Sequence, residues 1–408
     1  MTKSSNGRKA KNLQYIRNAN RASVFRYLAL NISATRSDLT RYLGLSKMAI
    51  SNIVSELLEE KYLIELEREE QDTQNQSAQI RTAGRKSLEL RLQADKFAAL
   101  GLYLSRDALQ AVIADITGHI YKSWKQDLPL TTEKTAAENV LLLEETFANM
   151  AALIKSELRD DLEQLSIIGA GLCSIGPLDI KQGILLDPPN FYGLEMIDLQ
   201  AMVSRSFELP VWLDNDMNAA AWAEHLYGAA CGQQHCLYIG LTNGIGAGVI
   251  AYGRIFQGSA GYGGEVGHMS IQMDGPVCYC GRRGCLETYI SLPVLLNKTG
   301  SGSLDELIAR SRDHKFKEKW LPEFMQALQT GLINLVNVFD PDIILLGHEG
   351  AELVAEHIEA LESEVNNGIF QKKAHNVKIR LAEHMEKAPL YGSASLVFQA
   401  VFRGDLAP

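Results

Sequence analysis

Near the N-terminus, Val24, Phe25, Leu28 and Leu30 recur at helical spacing and predict a first helix over about 20–30, after a polar, basic and frayed 1–11. A second short helix is expected over 37–43, stopped by Gly44, and Ser46 is a good N-cap for a third that runs to 61. In that third segment Ile50, Ile53, Val54, Leu57 and Leu58 form one stripe, leaving Lys47, Met48, Ser51, Asn52 and Ser55 on the opposite face. Alternating runs at 62–66 and 87–92 predict two strands around a polar loop, 67–86. Three helices and a strand pair in this order predict a winged helix-turn-helix over residues 1–92.

From Phe97 the pattern changes. Apolar runs at 98–104, 111–116, 167–172, 211–213, 237–241, 247–251 and 343–346 alternate with amphipathic stretches at 136–158, 218–227, 322–339, 351–365 and 393–402. That alternation predicts an α/β body over 97–408, with ligands at the strand ends.

Charge separates the two parts. Residues 1–64 hold eleven Lys and Arg against four Asp and Glu, although the whole chain is at −9. A basic head on an acidic body is the electrostatic pattern of a nucleic-acid-binding module; an ordinary helical hairpin is the plainer alternative. Lys47, Met48, Ser51, Asn52 and Ser55 sit where a recognition helix meets the major groove, and Arg36 and Arg41 suit phosphate contacts. Gly84, Arg85 and Lys86 at the base of the wing suit a minor groove or phosphates, or form a solvated basic loop. There is no apolar run near the 18 residues a membrane span needs and no export segment, so a reducing cytoplasmic setting is expected.

The body's most informative stretch is GEVGHMSIQMDGPVCYCGRRGCLE, from Gly264 to Glu287. His268, Cys278, Cys280 and Cys285 form a soft ligand set suited to tetrahedral zinc, and Gly281 and Gly284 permit the turns that would gather the sulfurs. A disulfide with an unrelated histidine is the alternative, disfavoured in a reducing compartment. Four protein ligands leave no position for an activated water, so one structural Zn2+ per chain is expected. Glu265 and Glu287 flank the ligands and would be fixed with them. In LDNDMNAAAWAE, Asn215 and Asp216 lie between a strand and a helix, where they either cap the helix or face a cleft. Gly244 to Gly248 and the turn at Gly176 are places where backbone could approach a ligand closely.

Taken together, LSKMAISNIVSELLEEKYLIE, DNDMNAAA, GEVGH and CYCGRRGCLE resemble the ROK family of repressors, open reading frames and sugar kinases. The resemblance implies a two-lobed, actin-like (ribonuclease H-like) body with sugar between the lobes, bound by Gly176, Asn215, Asp216, Glu265, His268 and Glu287. Family kinases open the body with Asp-x-Gly-x-Thr, a magnesium and phosphate element; the matching run here is Tyr103, Leu104, Ser105, Arg106 and Asp107, which lacks the carboxylate and the glycine. Gly244, Gly246 and Gly248 remain from a second phosphate loop, and His348 replaces one of a glycine pair. The expectation is therefore not an enzyme but a sugar-responsive DNA-binding regulator, a repressor of carbohydrate genes, acting on operator DNA as a homodimer or homotetramer. Its alternatives are an ATP-dependent sugar kinase and a repressor captured by a sugar-transport protein partner.

Overall fold

A computed structural model describes residues 5–31, 33–67, 88–161 and 165–405. The N-terminal part consists of helices α1 (Ser5–Leu30), α2 (Arg36–Leu43) and α3 (Lys47–Glu59), followed by antiparallel strands β1 (Leu63–Glu67) and β2 (Leu88–Leu92). α1 starts well before the apolar stripe that predicts it, and the segment expected to be frayed at 1–11 is helical from Ser5. Thr35 and Asp38 close a capping box on α2, Gly44 ends it at φ 65°, and Ser46 caps α3 by accepting from the Ala49 amide at 3.2 Å. Gly84, Arg85 and Lys86 lie outside the described residues.

Two five-stranded sheets of the same order frame the rest, with a small three-stranded sheet of Leu178–Asp179, Ile184–Leu185 and Ile197–Asp198. In the first, Ala98–Leu104 pairs antiparallel with Ala108–Asp115, which pairs with Ile120–Asp127; on its other side lie the parallel strands Ile167–Ser174 and Val211–Asn215. In the second, Cys236–Leu241 takes the same central place between the hairpin strands Ile245–Ala251 and Arg254–Ile255 and the parallel strands Ile343–Gly347 and Lys378–Leu381. Each half has its own core: Leu100, Leu102, Phe147 and Leu172 in the first, Ile239, Phe324, Leu332 and Ile344 in the second.

Two helices lie between the sheets, Asp216–Tyr227 and Ala388–Arg403, both almost wholly buried. Their approach is close enough to exclude a side chain: a Cβ on Gly392 would stand 1.9 Å from the Ala219 carbonyl oxygen, and one on Gly171 would stand 1.8 Å from that of Ser393. Val24, Phe25 and Leu28 of α1 pack in one apolar cluster with Phe97, Val397, Phe398 and Val401, so the three-helix head is seated on the body. Among the described residues no helix is long and apolar enough to cross a membrane.

Candidate functional site

Between the two halves opens a cleft of about 800 Å³, and Gly176, Asn215, Asp216, Glu265, His268 and Glu287 all line it. Asn215 and Asp216 arrive there because the strand Val211–Asn215 stops at the start of the helix Asp216–Tyr227. Asn215 is that helix's N-cap, its Oδ1 accepting from the Met217 amide at 2.9 Å, and it also lines the cleft; capping and exposure to a ligand are compatible in one side chain. Asp216 is buried, which pushes its carboxyl up to about 6 against the opposing pull of His348.

Behind them Asp214 is buried and accepts from the Asn215 amide at 2.8 Å, Asn218 Nδ2 at 2.8 Å and Gln257 Nε2 at 2.6 Å. Burial raises its carboxyl despite those bonds. It fixes the strand end from which Asn215 and Asp216 project.

The opposite wall comes from the stretch around His268. Burial pushes the Glu265 carboxyl up, with Glu287 adding and His268 opposing. Glu287 accepts from the Ile245 amide at 3.0 Å through Oε2, which ties the glycine turn after Asn243 to this wall. The donor atoms of His268, Cys278, Cys280 and Cys285 all lie within 4.8 Å of one another and could hold a metal ion. Cys280 and Cys285 sulfurs are 3.7 Å apart, far beyond the roughly 2.05 Å of a disulfide. Gly281 and Gly284 supply positive φ angles of 85° and 66°, and a Cβ on Gly284 would stand 1.6 Å from the Gln272 carbonyl oxygen.

Sequence reasoning missed several lining groups. The Tyr279 hydroxyl lies 3.0 Å from His268 Nε2, and Tyr103, Thr242, His348 and Glu349 close the inner end. His348 is buried in a backbone conformation, φ 63° and ψ 179°, that is rare outside glycine. Thr242 Oγ1 donates to Glu349 Oε1 at 2.6 Å. The sequence named Tyr103 and His348 only as departures from the kinase pattern that the resemblance implies; Tyr279 and Glu349 had no such signal.

On the head, Lys47, Met48, Ser51, Asn52 and Ser55 form one exposed face of α3, with Ile50, Ile53, Val54 and Leu57 buried behind it. Arg41 is exposed, 3.5 Å from Asp38. Arg36 is ion-paired with Glu65, linking α2 to β1. Arg85 falls outside the described residues.

A head of three helices and a strand pair, joined to a duplicated α/β body with an Asn-Asp cleft beside a His-Cys cluster, defines a class. The ROK family matches residues 106–400, and the chain belongs to that family. It is 26% identical over 401 residues to the putative xylose repressor of Caldicellulosiruptor sp. (strain Rt8B.4), covering 94% of this chain and 96% of the relative. The fold is shared with a ROK family transcriptional regulator homologous to the E. coli Mlc protein, at TM-score 0.77 and 22% identity over 96% of this chain and 98% of the other. A ROK hexokinase from Thermus thermophilus aligns at TM-score 0.62 and 27% identity, over 75% of this chain and 99% of its own.

Proposed function

We propose that this protein is a sugar-responsive DNA-binding transcriptional regulator, a repressor of carbohydrate genes, whose body binds an uncharged sugar and thereby changes operator affinity. The observation that carries this reading is one chain with an exposed, cation-led face on α3 and a cleft gathering Gly176, Asn215, Asp216, Glu265, His268 and Glu287. The family match starts at residue 106, and the kinase relative spans three quarters of the chain where the regulator spans nearly all of it. In this reading the head, residues 1–92, is a winged helix-turn-helix. α3 enters the major groove, Arg41 and Arg85 meet phosphates, and Arg36, tied to Glu65, keeps α2 in position. Two copies of the chain would read the half-sites of a palindromic operator.

Zinc suits the cluster. A tetrahedron with bonds of about 2.3 Å to sulfur and 2.0 Å to nitrogen has edges of about 3.8 Å between sulfurs and about 3.5 Å between sulfur and nitrogen. Cys280 to Cys285 is 3.7 Å and Cys278 Sγ to His268 Nδ1 is 3.6 Å. The four donors complete the coordination, so the ion braces the wall that carries Glu265 and Glu287.

The inner end of the cleft argues against phosphoryl transfer. Tyr103 stands where family kinases carry a carboxylate, and the hairpin after it is closed by Ser105, whose side chain bonds the backbone of Ala108. Thr242, in the glycine turn, already donates to Glu349. Among the described residues lining the cleft, Asp107, Asp187, Asp216, Glu265, Glu287, Glu349 and Glu386 face only Arg106, Lys125 and Lys387 among Lys and Arg, and Arg106 is bonded to the carbonyls of Pro189 and Asn190. Carboxylates accept sugar hydroxyls and repel phosphate.

Calorimetric titration tests this. A sugar that binds should do so at least about tenfold more tightly than its phosphate ester, a difference of about 1.4 kcal/mol. Ionised Asp216 accepts a hydroxyl proton, so affinity should be greatest above its pKa of about 6 and fall as pH drops through that value. Adding ATP and magnesium should give no sugar-dependent ADP. Equal binding of the phosphate ester, or ADP release, would contradict the reading.

A further inference from the structure

The head touches the body in two different ways. One is the apolar cluster of Val24, Phe25 and Leu28 with Val397, Phe398 and Val401, which is non-directional. The other is polar. Arg26, on the same helix α1, puts Nη2 3.2 Å from His225 Nε2 and donates to the Gly253 carbonyl oxygen at 3.4 Å.

Both partners belong to elements that begin in the cleft. His225 is on the helix whose first residue is Asp216, nine positions earlier, so the helix carries about 13 Å of rigid connection between them. Gly253 is in the turn after the strand Ile245–Ala251, whose first amide is held by Glu287. The two cleft walls, one carrying Asp216 and the other Glu287, therefore each lead to Arg26. Close packing leaves little give along the way: a Cβ on Gly248 would stand 2.1 Å from the Met217 carbonyl oxygen, so the helix and the strand are locked side by side near their cleft ends.

The joint itself is weak by design of its partners. Among the described residues Arg26 has no carboxylate partner, unlike Arg17 and Arg21 of the same helix, which pair with Glu56 and Glu60 within the head. Burial depresses His225 to about 4, with Arg26 adding to the effect, so its imidazole is neutral and Nε2 accepts the bond. That places the ring proton on Nδ1, on the side where the Gln233 backbone opposes the depression of His225. A charged donor held by two neutral acceptors, one at long distance, can exchange those acceptors over a small displacement without breaking an ion pair. A contact of that kind can take two arrangements separated by a small free energy, which a ligand can bias.

Resting on the sugar-sensor reading above, we propose that Arg26 and His225 are the positioning residues through which the cleft sets the attitude of the DNA-binding head. Sugar drawing the two halves together moves the helix Asp216–Tyr227 and the strand Ile245–Ala251 as one locked unit, and with it the ends that carry His225 and lead to Gly253, relative to the apolar seat of the head. Arg26, bridging those ends, turns α1 with them, while the apolar cluster keeps the head attached. Neither residue lines the cleft or the exposed face of α3, so neither contributes to sugar or DNA contact directly.

The test uses the full-length protein and variants Arg26→Met, His225→Leu and His225→Gln. The probe is whichever of D-xylose, D-glucose and N-acetyl-D-glucosamine raises the melting temperature most. Operator Kd is measured with and without that sugar, and sugar Kd separately. In the wild type the sugar should change operator Kd tenfold or more. In Arg26→Met and His225→Leu the change should fall below threefold, with sugar Kd and sugar-free operator Kd within twofold of wild type; His225→Gln, which keeps an acceptor, should retain the wild-type ratio. Full coupling in either of the first two variants overturns the proposal, and each stands alone if the other does not fold. A wild type that ignores all three sugars defeats the sensor reading instead. The joint is then judged by amide hydrogen exchange without sugar: Arg26→Met should speed exchange in residues 16–31 of the head and leave 236–241 unchanged, and unaltered exchange in 16–31 overturns it.

Discussion

Cys280→Ser should abolish zinc binding at the His-Cys cluster and, with it, most of the sugar affinity. The cysteine itself is exposed and contributes little packing, so its removal isolates the metal from the core. What remains is two thiolates and one imidazole on a loop held otherwise by backbone hydrogen bonds, such as Gly281 N–H to the Cys278 carbonyl at 3.0 Å and Gly284 N–H to that of Pro276 at 2.8 Å, which leave the sulfurs unfixed against one another. Glu265 lies three residues before one ligand and Glu287 two after another, and Glu287 anchors the glycine turn through the Ile245 amide. Disorder of the loop therefore reaches the cleft wall. Zinc content measured by mass spectrometry should fall from about one per chain to near zero, and sugar Kd should weaken by at least about tenfold, equivalent to losing one charge-assisted hydrogen bond of about 1.5–3 kcal/mol. The first sheet core lies apart from the cluster, and the second takes only Val266 and Leu286 among its buried residues from the ligand stretch, so the variant should remain folded. Full zinc content with unchanged sugar binding would be the contrary result.

Lys47→Ala and Asn52→Ala should each weaken operator binding without lowering the melting temperature. Both side chains are exposed, so no buried contact is lost. Asn52 suits a bidentate contact to an adenine edge, and its removal should cost about 1–3 kcal/mol and relax sequence preference at one position. Lys47, at the N-terminal end of α3, suits a phosphate, and its removal should weaken binding to all sequences and reduce the salt slope by about 1. Fluorescence anisotropy over a range of salt separates the two. Normal binding by both variants would rule out this face of α3.

How much of this was legible in the sequence depended on whether a signal was local. Ser46 followed by an apolar stripe marked α3 to within two residues, because a cap and its helix are adjacent in the chain. The His-Cys cluster was legible for the same reason, all four donors falling within one stretch. The strands Ile120–Asp127 and Lys378–Leu381 were missed: both are sheet edges, and Lys122, Lys125, Asp127, Lys378 and Arg380 there blur the apolar signal that central strands give. The inner cleft was partly legible. Tyr103 and His348 stood out as departures, but Glu349 meets Thr242 across 107 positions, and such pairing has no local trace. Arg26 meets His225 across 199 positions, and the basic head gave no hint that one of its cations faces inward. The separation into head and body was plain from charge, whereas the apolar cluster that seats one on the other appears only once α1 and the helix Ala388–Arg403 are brought together.

Operator Kd measured with and without saturating sugar, in the wild type and in Asp216→Asn, tests the central claim most directly. Asp216 is in the cleft, remote from the exposed face of α3, and Asn keeps its size while removing the charge. The sugar should change the wild-type Kd by tenfold or more, a coupling of about 1.4 kcal/mol. In Asp216→Asn the same sugar concentration should leave Kd unchanged, with sugar-free operator binding equal to wild type. No change in the wild type, or an equal change in both proteins, would contradict the account.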